Sequence, residues 1–452
     1  MDEISAGTAL SAANTAWVLM AAALVLFMTP GLAFFYAGFV RSKNVLGTVM
    51  HSFIVMGLVG VLWVVVGYSL AFGPDQGGLI GNFDHLGLKD VSTAIPDDGT
   101  VPPAAFMIFQ AMFAIITPAL ITGAFAERAK FSTFLIFMAA WSLLVYVPVA
   151  HWIFATDGWL SPFDTEGFAA DGINALDFAG GTAIHVNAGA AALAAALVYG
   201  KRKGYGVTPM EPHNVTYVVL GAGILWFGWF GFNAGSALGA NSAAVNAFIV
   251  TNTAAAAAAL AWMGASWVMT GKASVIGAAA GAVAGLVAIT PASGFVQPME
   301  SIVVGGVAGV VCYLAIRLRA RSGLDDSLDV VGVHGVGGLW GGIATGLFAV
   351  ASVGGVDGVI EGEPSQMVDQ LVAIGVVAAY SFTVTAIILK VLDLTIGIRL
   401  SEDDEELGMD VTQHGERGYV FDEPIGVPVY ASAPAPAPSP QAIPHTEPSA
   451  GA

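Results

Sequence analysis

The chain has 452 residues, 56% of them hydrophobic and only 11% charged, with a mean hydropathy of +0.75. Soluble domains carry about 25% charged residues, so the composition excludes an ordinary water-soluble globule and points to an all-α polytopic membrane protein. A formal net charge of -18 argues against nucleic-acid binding, and the single cysteine, Cys312, excludes an intrachain disulfide and a cysteine-based metal site.

A hydrocarbon core about 30 Å thick takes about 20 helical residues and tolerates no open sheet edge, so each long apolar run is expected to be a helix. The first residues, MDEISAG, lack a basic leader, so the first run itself is expected to direct insertion. Eleven such runs lie near 15–38, 48–72, 104–127, 131–153, 177–200, 214–237, 244–269, 274–292, 300–320, 328–352 and 367–398. Glycine is abundant, at 57 residues, which favours close helix crossings. Arg41, Lys43, Arg128, Lys130, Lys201, Arg202, Lys203, Lys272, Arg317, Arg319 and Arg321 fall in alternate connections, and Lys390, Arg399 and Arg417 lie at or beyond the last run. Only Lys89 falls on the other side. The positive-inside rule then sets the N-terminus outside and the C-terminus in the cytoplasm, which needs an odd number of spans.

Beyond Arg399 the composition turns polar and then Pro/Ala-rich. The expected organisation is a transmembrane domain over 1–398, an ordered cytoplasmic region over 399–424 and a disordered tail over 425–452.

Two stretches carry chemistry into the apolar runs. Residues Asp177 to Ala190 read DFAGGTAIHVNAGA, and Asp329 to Gly342 read DVVGVHGVGGLWGG. An ionisable group at the centre of a bilayer costs about 2.5–3.5 kcal/mol on insertion scales, so His185 and His334 need a reason. Transporters are often built from inverted repeats, and FYAG at Phe35 to Gly38 echoes FNAG at Phe232 to Gly235. A five-plus-five repeat with one extra helix would relate His185 to His334 and let the two imidazoles meet, offering hydrogen-bonding sites to a small neutral solute. The alternative is two histidines satisfied separately inside the bundle. Asp177 reads first as a helix cap at the outer end of the fifth run. Phe109 and Phe113 share a helix face, as do Phe232 and Ser236; periodicity alone favours core packing, whereas a conduit would let these rings close it and hold a cation. His51 is expected to be satisfied in the bundle and His151 to sit at an interface. No hydrolytic motif stands in a suitable context, so no enzymatic role is expected, and a bis-histidine haem is opposed by the glycine-rich surroundings.

DFAGGTAIHVNAG, DVVGVHGVGG, WFGFNAGSA, FQAMF followed by GAFAER, and FFYAGFVRSKNVL together closely resemble the ammonium transporter (Amt) family, over about 15–419. The resemblance implies a homotrimer of eleven-helix protomers, each with its own narrow pore for ammonium or ammonia and no cofactor. It implies His185 and His334 as the twin histidines, Phe113 and Phe232 as the outer gate, and Phe109, Phe154 and Ser236 as the recruitment site. Asp177 and Thr182 are implied as support beside that site. Phe154, a poorer cation–π partner, stands where the family usually has tryptophan. The implied mechanism recruits ammonium, deprotonates it and conducts ammonia, with separate proton movement as its coupled version. GMDVTQHGERGY, from Gly408 to Tyr419, is similar to the family's C-terminal region, which implies a P-II signal protein as a cytoplasmic partner beside the membrane lipid. The competing readings are an ammonium sensor signalling through the tail and an Rh-type ammonia channel.

Overall fold

The computed structural model describes residues 6–96, 99–162 and 173–420, and no strand occurs among them. The expected tail over 425–452 and residues 421–424 lie outside the described residues. The described residues up to Gly418 form one compact unit. Its long helices are α1 (Ala6–Phe39), α2 (Ser42–Phe72), α3 (Pro103–Phe125), α4 (Phe131–Phe154), α5 (Gly181–Tyr199), α6 (Val215–Ala234) and α7 (Ser242–Thr270). After the shorter α8 (Val275–Ile289) come α9 (Pro298–Ser322), α10 (Val331–Phe348) and α11 (Ser365–Thr395), and two short helices follow, α12 (Glu402–Leu407) and α13 (Met409–His414).

Ten of these helices are long and apolar enough to cross a bilayer, whereas α8 has 15 residues and gives way at Thr290 to a buried turn. Leucines and valines such as Val61, Leu260 and Leu318 stand more than 60% exposed on helix flanks, an arrangement stable only where the surrounding medium is apolar. The chain is therefore a multi-pass membrane protein. Inside, α1 packs along α6, α7 lies against α8 and α9, and α11 lies against α5.

The ends of the bundle differ in chemistry. One end carries the connection from Gly73 to Pro102 and the segment bearing Asp177. The other is basic, and a group of its charges is buried and paired. Glu127 accepts from Arg41 at 2.9 Å and Arg202 at 3.0 Å, and Arg202 reaches on to Asp325 at 2.8 Å. Burial opposes ionisation of Glu127, yet Arg202 and Arg41 outweigh it and hold its carboxyl below the usual range. Helices α12 and α13 dock at this basic end. Lys203 pairs with Glu406 at 2.8 Å, Met409 N–H donates to the Asn44 side chain, and Gly47 N–H donates to Asp410.

Candidate functional site

The fifth run departs from its expected course at its start. Gly180 has φ 110°, a left-handed conformation that suits glycine and bars helix, so α5 begins at Gly181 and Asp177 stands on the approach segment. Asp177 caps from there. One carboxylate oxygen accepts the N–H groups of Gly180 and Gly181 at 2.9 and 2.6 Å, and the other accepts those of Thr182 and Ala183, both at 2.9 Å. All four orphan donors of the first turn are thus satisfied by one side chain.

That first turn is wound as a π-helix over Gly181–Val186, and the start of α10 is wound likewise over Val331–Gly335. Such widened turns recur at functional sites because they re-aim side chains. Each carries its histidine inward. His185 and His334 are 1% and 3% exposed, and their Nδ1 atoms lie 3.2 Å apart. A contact between two Nδ1 atoms requires one to carry the proton and the other to accept it, so the pair acts as one hydrogen-bonding unit. The ring planes are nearly parallel, at 19°, and His185 also stacks on Trp229 at 5.4 Å between centroids. Trp229 is fixed in turn, its indole N–H donating to the Thr290 hydroxyl at 2.9 Å. His185 Nε2 is buried without a protein partner.

Three cavities line up on this pair. At the Asp177 end a chamber of about 130 Å³ is lined by Phe109, Phe113, Phe154, Asp177 and Ser236, with Gln110 and Phe178 among its other walls. Around the histidines the free space shrinks to about 10 Å³ among Trp229, Phe232, Leu120 and Val283, roughly the room of one water. Toward the basic end it opens again to about 330 Å³ beside Phe35, Ser266, Tyr313, Asp329 and Val333. Phe113 and Phe232 meet at 4.4 Å, tilted by 40°, where the first chamber gives way to the constriction.

The structure thus brings His185 to His334 and Phe113 to Phe232, and gathers Phe109, Phe154, Ser236 and Asp177 around one chamber. Thr182 does not line it; its hydroxyl is buried toward Gly342. Ser236 lies past the end of α6 at Ala234, and its hydroxyl donates to the Phe232 carbonyl at 2.8 Å. His51 differs from expectation, for its Nε2 has no partner and the ring stacks on Phe134 at 4.2 Å. His151 differs too, being wholly buried with Nδ1 on the Ala71 carbonyl and Nε2 2.9 Å from Asp75. The chamber at the basic end was missed from sequence, although Asp329 opens the DVVGVHG motif and Phe35 lies in FFYAGF.

A bundle of membrane-length helices with a buried histidine pair between two chambers defines a multi-pass membrane transport protein. Comparison with known proteins narrows the class. The Ammonium Transporter Family profile matches residues 16–419. A protein described as "Ammonium transporter" from Bacillus subtilis (strain 168) is 47% identical over 410 residues, covering 90% of this chain and 98% of its own. The crystal structure of Candida albicans Mep2 superposes with a TM-score of 0.80 at 38% identity, covering 87% of each chain. A structure titled "Sensor Amt Protein" gives 0.81 at 28% identity, covering 90% of this chain and 99% of that one. The chain belongs to the ammonium transporter family, and its function is ammonium transport.

Proposed function

We propose that ammonium is gathered in the chamber formed by Phe109, Phe154, Ser236 and Asp177, gives its proton to water of the outer medium before the Phe113–Phe232 pair, and crosses as ammonia along His185 and His334. Carrying this reading is the hydrogen-bonded histidine pair in a constriction of about 10 Å³ between two larger chambers. A bare ammonium ion in so narrow and apolar a passage would bear a Born penalty of tens of kcal/mol, whereas ammonia needs only hydrogen bonds. His185 Nε2, buried and unpartnered, is free to make one.

Asp177 acts here as a fixed negative charge. Each of its oxygens already accepts two N–H groups, so taking up the substrate's proton would break the turn that begins α5. The charge favours a cation in the chamber, and aromatic faces such as Phe109 add about 0.5–2 kcal/mol each where well placed. Phe154 supplies less than a tryptophan would.

In this reading the Asp177 end faces outward and the basic end the cytoplasm, as the positive-inside rule requires. The protomers form a homotrimer with one pore each, and α12 and α13 offer the cytoplasmic surface for a P-II signal protein. The test is methylammonium or ammonium flux in liposomes, comparing the native protein with the His185→Ala, His334→Ala double variant. Selective flux is expected to be lost or sharply altered; unchanged selective flux in the double variant would overturn the mechanism. Current recordings after ammonium pulses test the coupled version, which net flux without charge movement would exclude.

A further inference from the structure

Gln370 is buried to 1% exposure near the start of α11, lies outside the lining of the proposed pore, and its amide is used at every position. Its Oε1 accepts the Leu176 N–H at 2.6 Å while its Nε2 donates to the Leu176 carbonyl at 2.9 Å, so the side chain pairs with one residue's backbone as a neighbouring strand would. Nε2 donates also to the Gly342 carbonyl on α10 at 3.2 Å, and Oε1 accepts from Gln366 at 3.3 Å. Gln366 holds the same segment, donating to the Asn174 carbonyl at 2.9 Å. The two backbone groups of Leu176 demand one donor and one acceptor, which fixes the orientation of the amide.

Leu176 immediately precedes Asp177, whose carboxylate organises the N–H groups of residues 180–183 and hence the turn that aims His185. Gly342 lies on the helix that carries His334. One amide therefore ties the last long helix to the approach segment of the first histidine and to the helix of the second. The Asp177 segment has little regular structure of its own: between Ile173 and Gly180 it follows an irregular path, and backbone without internal partners takes its position from the groups that reach it, here the Leu160 and Pro291 carbonyls, which accept from Ala175 and Phe178 N–H, and the side chains of Gln366 and Gln370.

We infer that Gln370 is a positioning residue for transport, setting the Asp177 segment against α10 so that the chamber and the histidine pair stay aligned. The inference rests on the pore reading above and adds to it a residue that touches neither substrate nor histidine. Small misplacement of reacting groups is worth up to about 100-fold in rate, so a device of this kind is visible in transport before it is visible in folding.

The experiment measures methylammonium flux in liposomes for the native protein, Gln370→Leu and Gln370→Glu, each first checked for monodisperse elution and unfolding temperature. Gln370→Leu is expected to lower maximal flux by about 10-fold or more with the half-saturating concentration changed less than about 3-fold, the pattern of lost alignment rather than lost recruitment. Gln370→Glu separates positioning from packing and serves alone if the leucine variant does not fold. Its ionised carboxyl accepts from Leu176 N–H but opposes the Leu176 carbonyl, whereas its neutral carboxylic acid restores donor and acceptor together. Flux relative to the native protein at the same pH is therefore expected to rise as the outer medium is acidified, and to exceed that of a folded Gln370→Leu. Folded variants with native flux, or a Gln370→Glu ratio flat with pH, would overturn the inference. The His185, His334 double variant in the same preparation keeps the two failures apart: native flux there removes the pore reading, while blocked flux there with native Gln370 variants removes only the role of Gln370.

Discussion

The two histidine helices start at opposite ends of the bundle and solve the same problem by different means. At the head of α5, Asp177 alone satisfies four backbone donors, and the left-handed residue before the helix is a glycine. At the head of α10, Asp326 accepts the Val331 N–H at 2.8 Å, its Oδ1 is buried without a partner, and the left-handed position falls on Asp329 at φ 60°. Burial pushes the Asp326 carboxyl upward, with Val331 N–H and Arg319 opposing. The first start is capped from within its own segment, which Gln370 braces from α11. The second depends on its neighbours: Asp329 leans on Arg319, Arg128 donates to the Asp325 carbonyl at 2.7 Å, and Arg202 grips the Asp325 carboxylate. A local clamp suits a helix that must present one fixed charge to a chamber, whereas a network couples the second helix to the connections that bear Arg41, Glu127 and Arg202.

The largest effect should come from removing the local clamp. Asp177→Ala leaves four buried N–H groups unpaired, each worth about 1–3 kcal/mol, so destabilisation above about 4 kcal/mol is expected. Asp326→Ala removes far less and should cost about 1–3 kcal/mol. Tryptophan-fluorescence unfolding in detergent measures both, and equal losses would erase the distinction between the two starts.

Breaking the network should come next. Arg202→Met leaves Glu127 and Asp325 buried with their main partner gone, and removal of one member of a buried pair typically costs about 3–5 kcal/mol. A pH scan probes the same groups without mutation. Burial opposes ionisation of Glu127 and Asp325, but their arginine partners hold both carboxyls below the usual range. Groups depressed in this way stabilise the fold fully above the ordinary carboxylate value, near 4, and that stability is lost as pH falls through their folded-state values. The unfolding temperature of the native protein is thus expected to drop on acidification below about pH 4, and the drop should be shallower in Glu127→Gln. A native protein insensitive to acid would show that the network holds nothing together.

What the sequence disclosed follows from the range of each interaction. Long apolar runs report the membrane directly, and His185 and His334 stand out because ionisable residues are rare there. The Asp177 cap was half legible: a carboxylate before an apolar helix signals a cap, but the left turn at Gly180 depends on a backbone angle that no spacing reveals. Residues 41, 127, 202 and 325 converge from four connections, and nothing in their neighbours announces it; Glu127 even holds φ 72°, a conformation sustained by the bonds it receives. His151 and Asp75 are joined in the same non-local way. The chamber beside Phe35 and Asp329 was hidden because its walls come from α1, α7, α8, α9 and α10, and packing of that kind leaves no periodic trace.

The smallest predicted effect tests how the two histidine helices are held against each other. They cross where Gly189 of α5 faces Gly335 of α10, and the crossing is asymmetric. A Cβ added at Gly189 would stand 2.3 Å from the Gly335 Cα and 2.4 Å from its nitrogen, both backbone atoms that cannot turn aside. A Cβ added at Gly335 would find its nearest neighbour, the Gly189 Cα, at 3.5 Å, an ordinary contact. Gly189→Ala must therefore push the helices apart, at an overpacking cost of about 1–3 kcal/mol, and because His185 and His334 sit on the turns beside the crossing, it should also lengthen their contact and reduce flux. Gly335→Ala should change stability by less than about 1 kcal/mol and leave flux near native. If the two alanine variants behave alike, the spacing of the histidine pair is set elsewhere, and the buried linkage between α11, the Asp177 segment and α10 becomes the stronger candidate for that task.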